Sequence, residues 1–416
     1  MQRHQYRSSF HHYGERVRHR AMLNRGGPPS GGGAPQGGGR PRSFLIGTQD
    51  VLEGGDYDQT FTNTAGGSLQ PWTLQATGWL ARLWMRIDYT TTAGTLGADS
   101  PFTIFSSVQL NDVNNEAIFG PFDGYTWYIT NKFGGYYFWD DPATNAVYTA
   151  SGTAGTFIMQ VPLEIVSRDP IGDLASVNNT ATLTLIMQLN AAATAFPSAT
   201  AWNVRVRGTQ EFYWEPRKSD KQGRTIAGAP PAAGTTQYWT QGSIPVAAAG
   251  TINNQLITGL GYPFRQYVFM YRGSGGARSS GETNWPDPLI GIKFEANFLL
   301  TQYTKGDWQG AMSREYGYPA TTMDVRGAAG AGVLPGKENG VYSLNFNGDF
   351  FLNKPGAETR RGYLVTSPGS NFIFNGNMGV AGNLYSIVNY VAPGGGGGAM
   401  NAQPRHQDTA QLTAGG

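Results

Sequence analysis

Residues 79–89 read WLARLWMRIDY, and apolar and polar side chains alternate along this stretch. The odd positions hold Trp79, Ala81, Leu83, Met85, Ile87 and Tyr89, whereas the even positions hold Leu80, Arg82, Trp84, Arg86 and Asp88. Since successive side chains of a strand point to opposite faces, this pattern predicts a β-strand with one apolar and one mainly polar face. The same reasoning predicts further strands at 102–110, 157–166, 181–190 and 202–214.

The second half of the chain repeats this kind of pattern. Strands are predicted at 252–258, 264–272, 289–301, 341–352, 361–366, 371–375 and 383–391. Two short helices are also predicted, at 120–132 with Asp123 as N-cap and at 308–316 with Asp307 as cap. About eight short strands in each half predict an all-β protein of two tandem eight-stranded jelly rolls with long loops.

The composition agrees with this fold class. The 416 residues include 59 glycines and 24 prolines, and aromatic residues make up 12% of the chain. Many turn-forming residues together with many bulky ones favour short strands joined by turns. Cysteine is absent, which excludes disulfides and favours assembly in a reducing compartment.

Changes in composition divide the chain into five predicted segments. Residues 1–42 form a flexible basic arm rich in Gly and Pro, and 43–215 form the first jelly roll. Residues 216–237, in which charges precede a run of Ala, Gly and Pro, are the linker. The second jelly roll occupies 238–392, and 393–416 form a flexible C-terminal tail that starts with a glycine run.

The arm carries the excess positive charge of the chain. Residues 1–42 contain eight arginines, no lysine and one acid, Glu15, whereas the net charge of the whole chain is only +2. Arginine clusters bind phosphate groups, and interleaved apolar residues favour an interfacial helix on an anionic bilayer. The residues predicted to contact a membrane or nucleic acid are Arg3, Arg7, Phe10, Tyr13, Arg16, Val17, Arg18, Arg20 and Arg25.

The body of the chain lacks the residues that most catalytic sites need. Residues 43–392 contain neither histidine nor cysteine, which excludes Ser-His-Asp and Cys-His sites and metal sites built on these ligands. The loop GVLPGK at 332–337 is followed by Glu338, where a phosphate-binding loop needs Ser or Thr. The sequence therefore predicts no catalytic residue, no metal and no cofactor, and the protein is predicted not to be an enzyme.

Acidic and aromatic residues leave weaker candidates for a carbohydrate site. Glu164 with Asp169 and Asp173 are available as a glycosidase pair, and YYFWDD at 136–141 is available as a platform for a sugar. Roles in turns, in the core or in subunit contacts are favoured for both groups.

A resemblance to a known family lies at residues 157–190, which read FIMQVPLEIVSRDPIGDLASVNNTATLTLIMQLN. This segment resembles the first jelly roll of the tectivirus-type double jelly-roll major capsid proteins, where a strand ending in Val-Pro-Leu leads to the strand that closes the sheet. The end of the family's second jelly roll is similar to GVYSLNFNGDFFLNKPG at 340–356, followed by RRGYLVT and a last aromatic strand.

The resemblance implies a homotrimer whose six jelly rolls form a pseudo-hexagonal tile of an icosahedral capsid. It further implies an internal membrane below the shell, with the basic arm pointing inward. The implied partners are neighbouring capsomers, minor capsid proteins, the membrane or its proteins, and the packaged genome. The implied location is the capsid shell of the virion, after assembly in the host cytoplasm.

Two other functions remain compatible with the sequence. One is the coat protein of a small RNA virus, with a single shell jelly roll, a protruding domain and an arm that holds RNA. The other is a carbohydrate-binding or glycan-cleaving protein of two sandwiches, which would be a monomer with a sugar-lined groove.

Overall fold

Strands make up most of the residues that the structure describes. A computed structural model describes residues 49–52, 57–75, 78–136, 149–165, 174–176, 182–213, 235–255, 261–278, 283–285, 290–295, 297–316, 338–346 and 363–393. The predicted all-β fold class is confirmed. The predicted arm lies outside the described residues, as do the predicted tail except Pro393 and the predicted linker except 235–237.

The first half contains twelve of the described strands and two helices. The strands are β1 (Gln49–Leu52), β2 (Asp58–Phe61), β3 (Gly67–Ser68), β4 (Trp72–Thr73), β5 (Gly78–Thr92), β6 (Phe105–Asn111), β7 (Ala117–Phe122), β8 (Thr149–Ala150), β9 (Ala154–Pro162), β10 (Leu174–Ser176), β11 (Thr184–Leu189) and β12 (Ala201–Tyr213). The helices are α1 (Gly124–Phe133) and α2 (Ala192–Ala195).

The second half contains eight of the described strands and one longer helix. The strands are β13 (Thr235–Val246), β14 (Gly250–Gln255), β15 (Phe264–Gly273), β16 (Ile290–Phe294), β17 (Asn297–Tyr303), β18 (Val341–Asn345), β19 (Phe372–Met378) and β20 (Gly382–Pro393). The helix is α3 (Lys305–Tyr316), which lies between β17 and β18 as α1 lies between β7 and the β8–β9 pair.

Each half is a complete jelly roll. In the first half, one sheet has the order β1/β2, β12, β5, β9, and the other has the order β3/β4, β11, β6, β7. In the second half, the corresponding orders are β13, β20, β15, β18 and β14, β19, β16, β17. The strands correspond one to one in the order given, so that β12 matches β20, β5 matches β15 and β11 matches β19. Both halves therefore pair their strands in the same order, which is the jelly-roll arrangement.

The two jelly rolls also share one residue spacing. Ala201 pairs with Thr92 in the first half, and Gly382 pairs with Gly273 in the second. Along the sequence, Gly382 follows Ala201 by 181 residues, and Gly273 follows Thr92 by the same number. The central strands of the two halves are thus aligned from Ala201 to Gly208 in the first half and from Gly382 to Asn389 in the second.

A single sheet crosses from one jelly roll into the other. Strand β7, at the edge of the first half, pairs in parallel with β13, at the edge of the second, with Phe119 opposite Trp239. One cluster of buried apolar side chains extends through both halves. The halves therefore share both a sheet and a hydrophobic core.

A β-bulge corrects the predicted faces at the start of β5. Arg82 pairs with Glu211 but Leu80 pairs with Phe212, so one extra residue, Ala81, lies between them. An extra residue inverts the alternation beyond it. Leu80 therefore lies in the main core, whereas Trp79 and Ala81, predicted to share a face with Leu83, pack with Tyr213 in a separate cluster.

The predicted single strand at 289–301 was wrong. Strands β16 and β17 form an antiparallel hairpin, with Phe294 paired to Asn297. Glu295 has φ +54°, a conformation that a side chain other than Gly, Asn or Asp rarely adopts. The two positions between the paired residues hold Glu and Ala, and neither is a residue that usually marks a hairpin turn.

Other predicted boundaries also differ from the structure. Residues 102–104 form a 3-10 turn before β6, and the start of the predicted helix at 120–132 belongs to β7. The described part of 361–366 contains an isolated bridge between Leu364 and Phe264 in place of a strand.

The helix caps are partly as predicted. Asp123 is the N-cap of α1, as predicted, and its side chain accepts a hydrogen bond from Thr126 N at 2.6 Å. The predicted cap Asp307 was wrong, because Thr304 precedes α3 and its hydroxyl accepts from Asp307 N at 3.1 Å. Asp307 in turn accepts from Thr304 N at 3.3 Å, which completes a reciprocal capping box.

Candidate functional site

A buried polar cluster joins the two jelly rolls beside the shared sheet. We call it the junction cluster, and it consists of Asp99, Tyr125, Tyr128, Lys132, Arg272, Arg278 and Glu338. The first four come from the first half and the last three from the second. Helix α1 supplies three of them, because its buried face turns toward the second half.

Glu338 is the acceptor at the centre of the junction cluster. Its side chain is only 2% exposed, and it accepts hydrogen bonds from Tyr125 Oη at 2.8 Å and Tyr128 Oη at 3.1 Å. It also forms an ion pair with Lys132 Nζ at 2.8 Å. A buried carboxylate is costly unless it is paired and hydrogen-bonded, and these three donors meet that requirement.

Asp99 pairs with two arginines of the other half. Its oxygens lie 2.6 Å from Arg272 Nη1 and 2.5 Å from Arg278 Nε. Burial raises the pKa of Asp99, but the two guanidinium groups outweigh this effect and hold it below its usual value. The Arg278 guanidinium also lies over the Tyr125 ring, 4.0 Å from the centroid, in a cation–π contact.

The second half caps the C-terminal end of α1. Gln266 Nε2 donates to Phe133 O at 2.7 Å, and Arg265 Nη2 donates to Gly134 O at 2.9 Å. The last carbonyl groups of a helix have no partner within the helix, so these donors satisfy them. Arg265 is a bulged residue, since Phe264 and Gln266 pair with consecutive residues of β20, and a bulge re-aims neighbouring side chains.

A second ionic group lies on the outer face of the first sheet. Arg82 is 2.7 Å from Glu164 and 3.2 Å from Glu211. Burial, followed by the charge of Glu211, raises the pKa of Glu164, although Arg82 opposes this. Asp169 and Asp173, predicted with Glu164 as candidates for a glycosidase pair, lie outside the described residues, so that pairing stays a prediction.

An open depression of about 430 Å³ lies on the same outer face. Its lining includes Asp88, Thr156 and Arg205, together with Tyr89, whose ring is buried in the core. Asp88 accepts from Thr156 Oγ1 at 2.6 Å and pairs with Arg207 at 2.6 Å. The charged groups of the lining are therefore engaged with protein partners, since Arg205 also pairs with Asp58. Among the described residues, the lining offers a sugar no exposed aromatic face.

The described part of the chain has neither a metal-binding cluster nor a membrane-spanning helix. Within it, no group of three or more His, Cys, Asp or Glu side chains is arranged to hold a metal ion. The helices in the same part are too short or too polar to cross a membrane.

The predicted site residues lie mostly outside the described part. Arg3, Arg7, Phe10, Tyr13, Arg16, Val17, Arg18, Arg20 and Arg25 all belong to the undescribed arm, so their contact with lipid or nucleic acid stays a prediction. Of the predicted aromatic platform at 136–141, only Tyr136 is described. Its hydroxyl donates to Gln237 Oε1 at 3.0 Å, which makes it a contact between the halves.

Sequence reasoning missed the junction cluster. Glu338 follows a Gly-rich loop and has the appearance of a surface residue, and no local pattern links it to Tyr125 or Lys132. The sequence signal in β15 concerned the neighbouring cap of α1, where Arg265 and Gln266 interrupt the apolar run FRQYVFMYR. A charged residue inside a buried strand needs a partner, but the sequence does not indicate which one.

Neither a protein-family model nor a curated protein sequence matches this chain. Solved structures do match. The crystal structure of the STIV major capsid protein is 12% identical with a TM-score of 0.51, and the match covers 81% of this chain and 97% of that one. A chain in the atomic structure of Sulfolobus turreted icosahedral virus is 13% identical with a TM-score of 0.54. This match covers 88% of the present chain and 94% of the viral one.

Both matches extend over the two halves of the chain. Because the sequence identity is low, the likeness concerns the fold alone. It agrees with the strand order of both halves and with the double jelly roll predicted from the sequence. This chain has the double jelly-roll fold of the major capsid protein of Sulfolobus turreted icosahedral virus.

Proposed function

We propose that this chain is a major capsid protein that assembles as trimers into the shell of an icosahedral virus. The observation that carries the proposal is the pair of complete jelly rolls joined by one continuous sheet. A trimer of such chains presents six similar sandwiches, which suits a pseudo-hexagonal tile. The role is structural and requires no catalysis.

The junction cluster supports this proposal through its effect on shape. A tile fits its neighbours only when the two sandwiches keep a fixed relative orientation. Buried ion pairs and hydrogen bonds are directional, so the cluster favours one orientation over others. Assembly then depends on large subunit interfaces, which in obligate complexes bury about 2,000 Å² or more.

We further propose roles for the segments that flank the jelly rolls. Residues 1–42 form an arm that faces the interior of the virion and binds an internal membrane or its proteins. Residues 216–237, the last three of which begin β13, link the jelly rolls at 43–215 and 238–392. Residues 393–416, which begin with the last residue of β20, form a tail that adapts to neighbouring capsomers and minor capsid proteins. Assembly takes place in the host cytoplasm.

The packaged genome is the alternative partner of the arm, since arginines also bind nucleic-acid phosphates. Co-sedimentation of the full chain, and of a variant lacking 1–42, with anionic liposomes and with DNA separates the two. We expect liposome binding that requires the arm. No binding to liposomes at low salt would contradict the membrane role.

Electron microscopy of the purified full chain tests the proposed function. We expect trimers that pack into hexagonal plates or closed shells, because three copies supply six sandwiches of one topology. Dispersed single chains at all concentrations would contradict it.

Two other functions can be weighed against the same structure. A small RNA-virus coat protein with a protruding domain would have a different, smaller sandwich in its second half. The second half instead repeats the strand order of the first, which argues against that function. A carbohydrate-binding or glycan-cleaving protein would bind a glycan array as a monomer, and we expect no glycan binding.

A further inference from the structure

Among the described strands, the contact between the two jelly rolls uses one of two matching pairs of edges. Within the chain, the edge strand β7 of the first half lies against the edge strand β13 of the second. The matching strands at the other edges are β17 of the second half and β1/β2 of the first. Among the described strands, β17 pairs with β16 alone, and β1 and β2 pair with β12 alone.

Tyr57, just before β2, is the counterpart of Trp239 in β13. Tyr57 O accepts a hydrogen bond from Gly208 N at 2.9 Å, and Trp239 lies opposite Asn389. Gly208 in β12 and Asn389 in β20 are as far apart in the sequence as Ala201 and Gly382, so they are equivalent positions of the two jelly rolls. The residue of the first half that corresponds to Trp239 is therefore Tyr57.

Leu300 in β17 is the counterpart of Phe119 in β7 by the same spacing. Phe119 lies four residues before Asp123, the cap of α1, and Leu300 lies four residues before Thr304, the cap of α3. Both strands end directly before their helix. The contact of Phe119 with Trp239 therefore has an equivalent, Leu300 with Tyr57, that the described strands do not make within the chain.

The edge of β2 has backbone groups available for a further strand. In an antiparallel pair, every second residue exchanges hydrogen bonds with its neighbour. Because Tyr57 bonds to Gly208, the N–H and C=O groups of Asp58 and Thr60 point away from β12. An open edge of this kind is a template for pairing with another chain.

We propose that copies of the chain join by repeating this internal contact between molecules. Strand β17 of one copy lies parallel to β2 of the next, with Leu300 opposite Tyr57. The proposal rests on the trimer proposed above. The contact joins two different surfaces, so it is head-to-tail and closes into a ring when the rotation allows it.

Introduced cysteines test this contact directly, since the chain contains none of its own. The parallel register places Thr60 opposite Tyr303 and Asp58 opposite Thr301. We expect oxidised Thr60→Cys/Tyr303→Cys or Asp58→Cys/Thr301→Cys chains to form covalent trimers on a non-reducing gel. A mixture of the Thr60→Cys and Tyr303→Cys single variants should give dimers only, because each chain then carries half of the pair.

Matched controls define the result. Each single variant alone, and Thr60→Cys combined with Thr251→Cys on the unrelated edge strand β14, should give no cross-link. Trimers seen by native mass measurement without a cross-link in either designed pair would overturn this contact and leave the proposed trimer intact. Chains that stay monomeric in the absence of any substitution would overturn the proposed function itself.

A proline substitution provides a second test that needs no disulfide geometry. Thr60→Pro removes an N–H that points outward and breaks no hydrogen bond within the sheet, so the monomer should keep its circular dichroism spectrum. We expect at least a tenfold rise in the concentration at which trimers dissociate, whereas Thr60→Val, which keeps the N–H, should retain the trimer. A Thr60→Pro trimer as stable as that of the unmodified chain would contradict the contact.

Discussion

Single residues hold the two jelly rolls together. Glu338 from the second half receives donors from Tyr125, Tyr128 and Lys132 of the first, all of them buried or nearly so. Such a cluster stabilises the protein only as a complete set, because the removal of one member leaves the others buried without compensation.

The substitution Glu338→Gln tests this dependence. We expect a loss of about 3–5 kcal/mol in the free energy of unfolding, because Lys132 loses its buried counter-charge. Tyr128→Phe removes one hydrogen bond to Glu338 and should cost about 1–3 kcal/mol. Urea denaturation measures both, with Glu116→Gln on an exposed turn as the control. Equal stability of Glu338→Gln and this control would contradict the role of the cluster.

Glu315 on α3 should make stability depend on pH. Burial raises its pKa from 4.5 to about 7, although Asn345 and Arg265 oppose this shift. The folded carboxyl group keeps a proton that the unfolded one releases, so stability falls as the pH rises from about 4.5 to about 7.

Glu315→Gln should remove that dependence. We expect the variant to match the unmodified protein at pH 5 and to be more stable at pH 8 by up to roughly 3 kcal/mol. Urea denaturation at the two pH values measures the difference, with Glu116→Gln again as the control. If Glu315→Gln differed in stability from the unmodified protein by the same amount at pH 5 and pH 8, this would argue against a raised pKa of Glu315.

At the scale of elements, the sequence predicted strands where alternation is local and regular. The strand predicted at 202–214 is β12 (Ala201–Tyr213), since Val204 and Val206 alternate with polar residues up to the sheet edge. The faces of β5 could not be predicted near Ala81, because the bulge there is imposed by pairing with β12. The hairpin at Glu295 was missed because its turn uses a residue that is unusual there.

The candidate site was less predictable than the fold. Its members lie far apart in the sequence, and only the folded chain brings Glu338 to α1. The parallel contact of β7 with β13 is equally non-local. Alternation predicts which residues are buried but gives no information on which elements lie side by side.

The turn after β5 gives a test at this scale. Ala93 has φ +57°, which costs an L-residue roughly 1–2 kcal/mol, whereas glycine adopts it readily. We expect Ala93→Gly to raise the free energy of unfolding by about 0.5–1 kcal/mol after the entropy cost of glycine. The matched change Ala154→Gly, at an exposed strand position, should lower it by a similar amount. Destabilisation by both changes would contradict the strained turn.

At the scale of the whole molecule, the shared sheet and shared core make the two jelly rolls one cooperative unit. The apolar cluster extends from Leu83 in the first half to Phe374 in the second without a break. We expect one transition in differential scanning calorimetry of the full chain, and also one in the Glu338→Gln variant, which keeps the shared sheet and core. Two separate transitions in the unmodified chain would show that the halves fold independently.

The central claim is that this double jelly roll works by association with copies of itself. Native mass spectrometry of the purified full chain tests it most directly, because it counts subunits without assuming a shape. We expect a dominant species of three times the 44.8 kDa chain mass. A single chain of 44.8 kDa as the dominant species at all concentrations would contradict it.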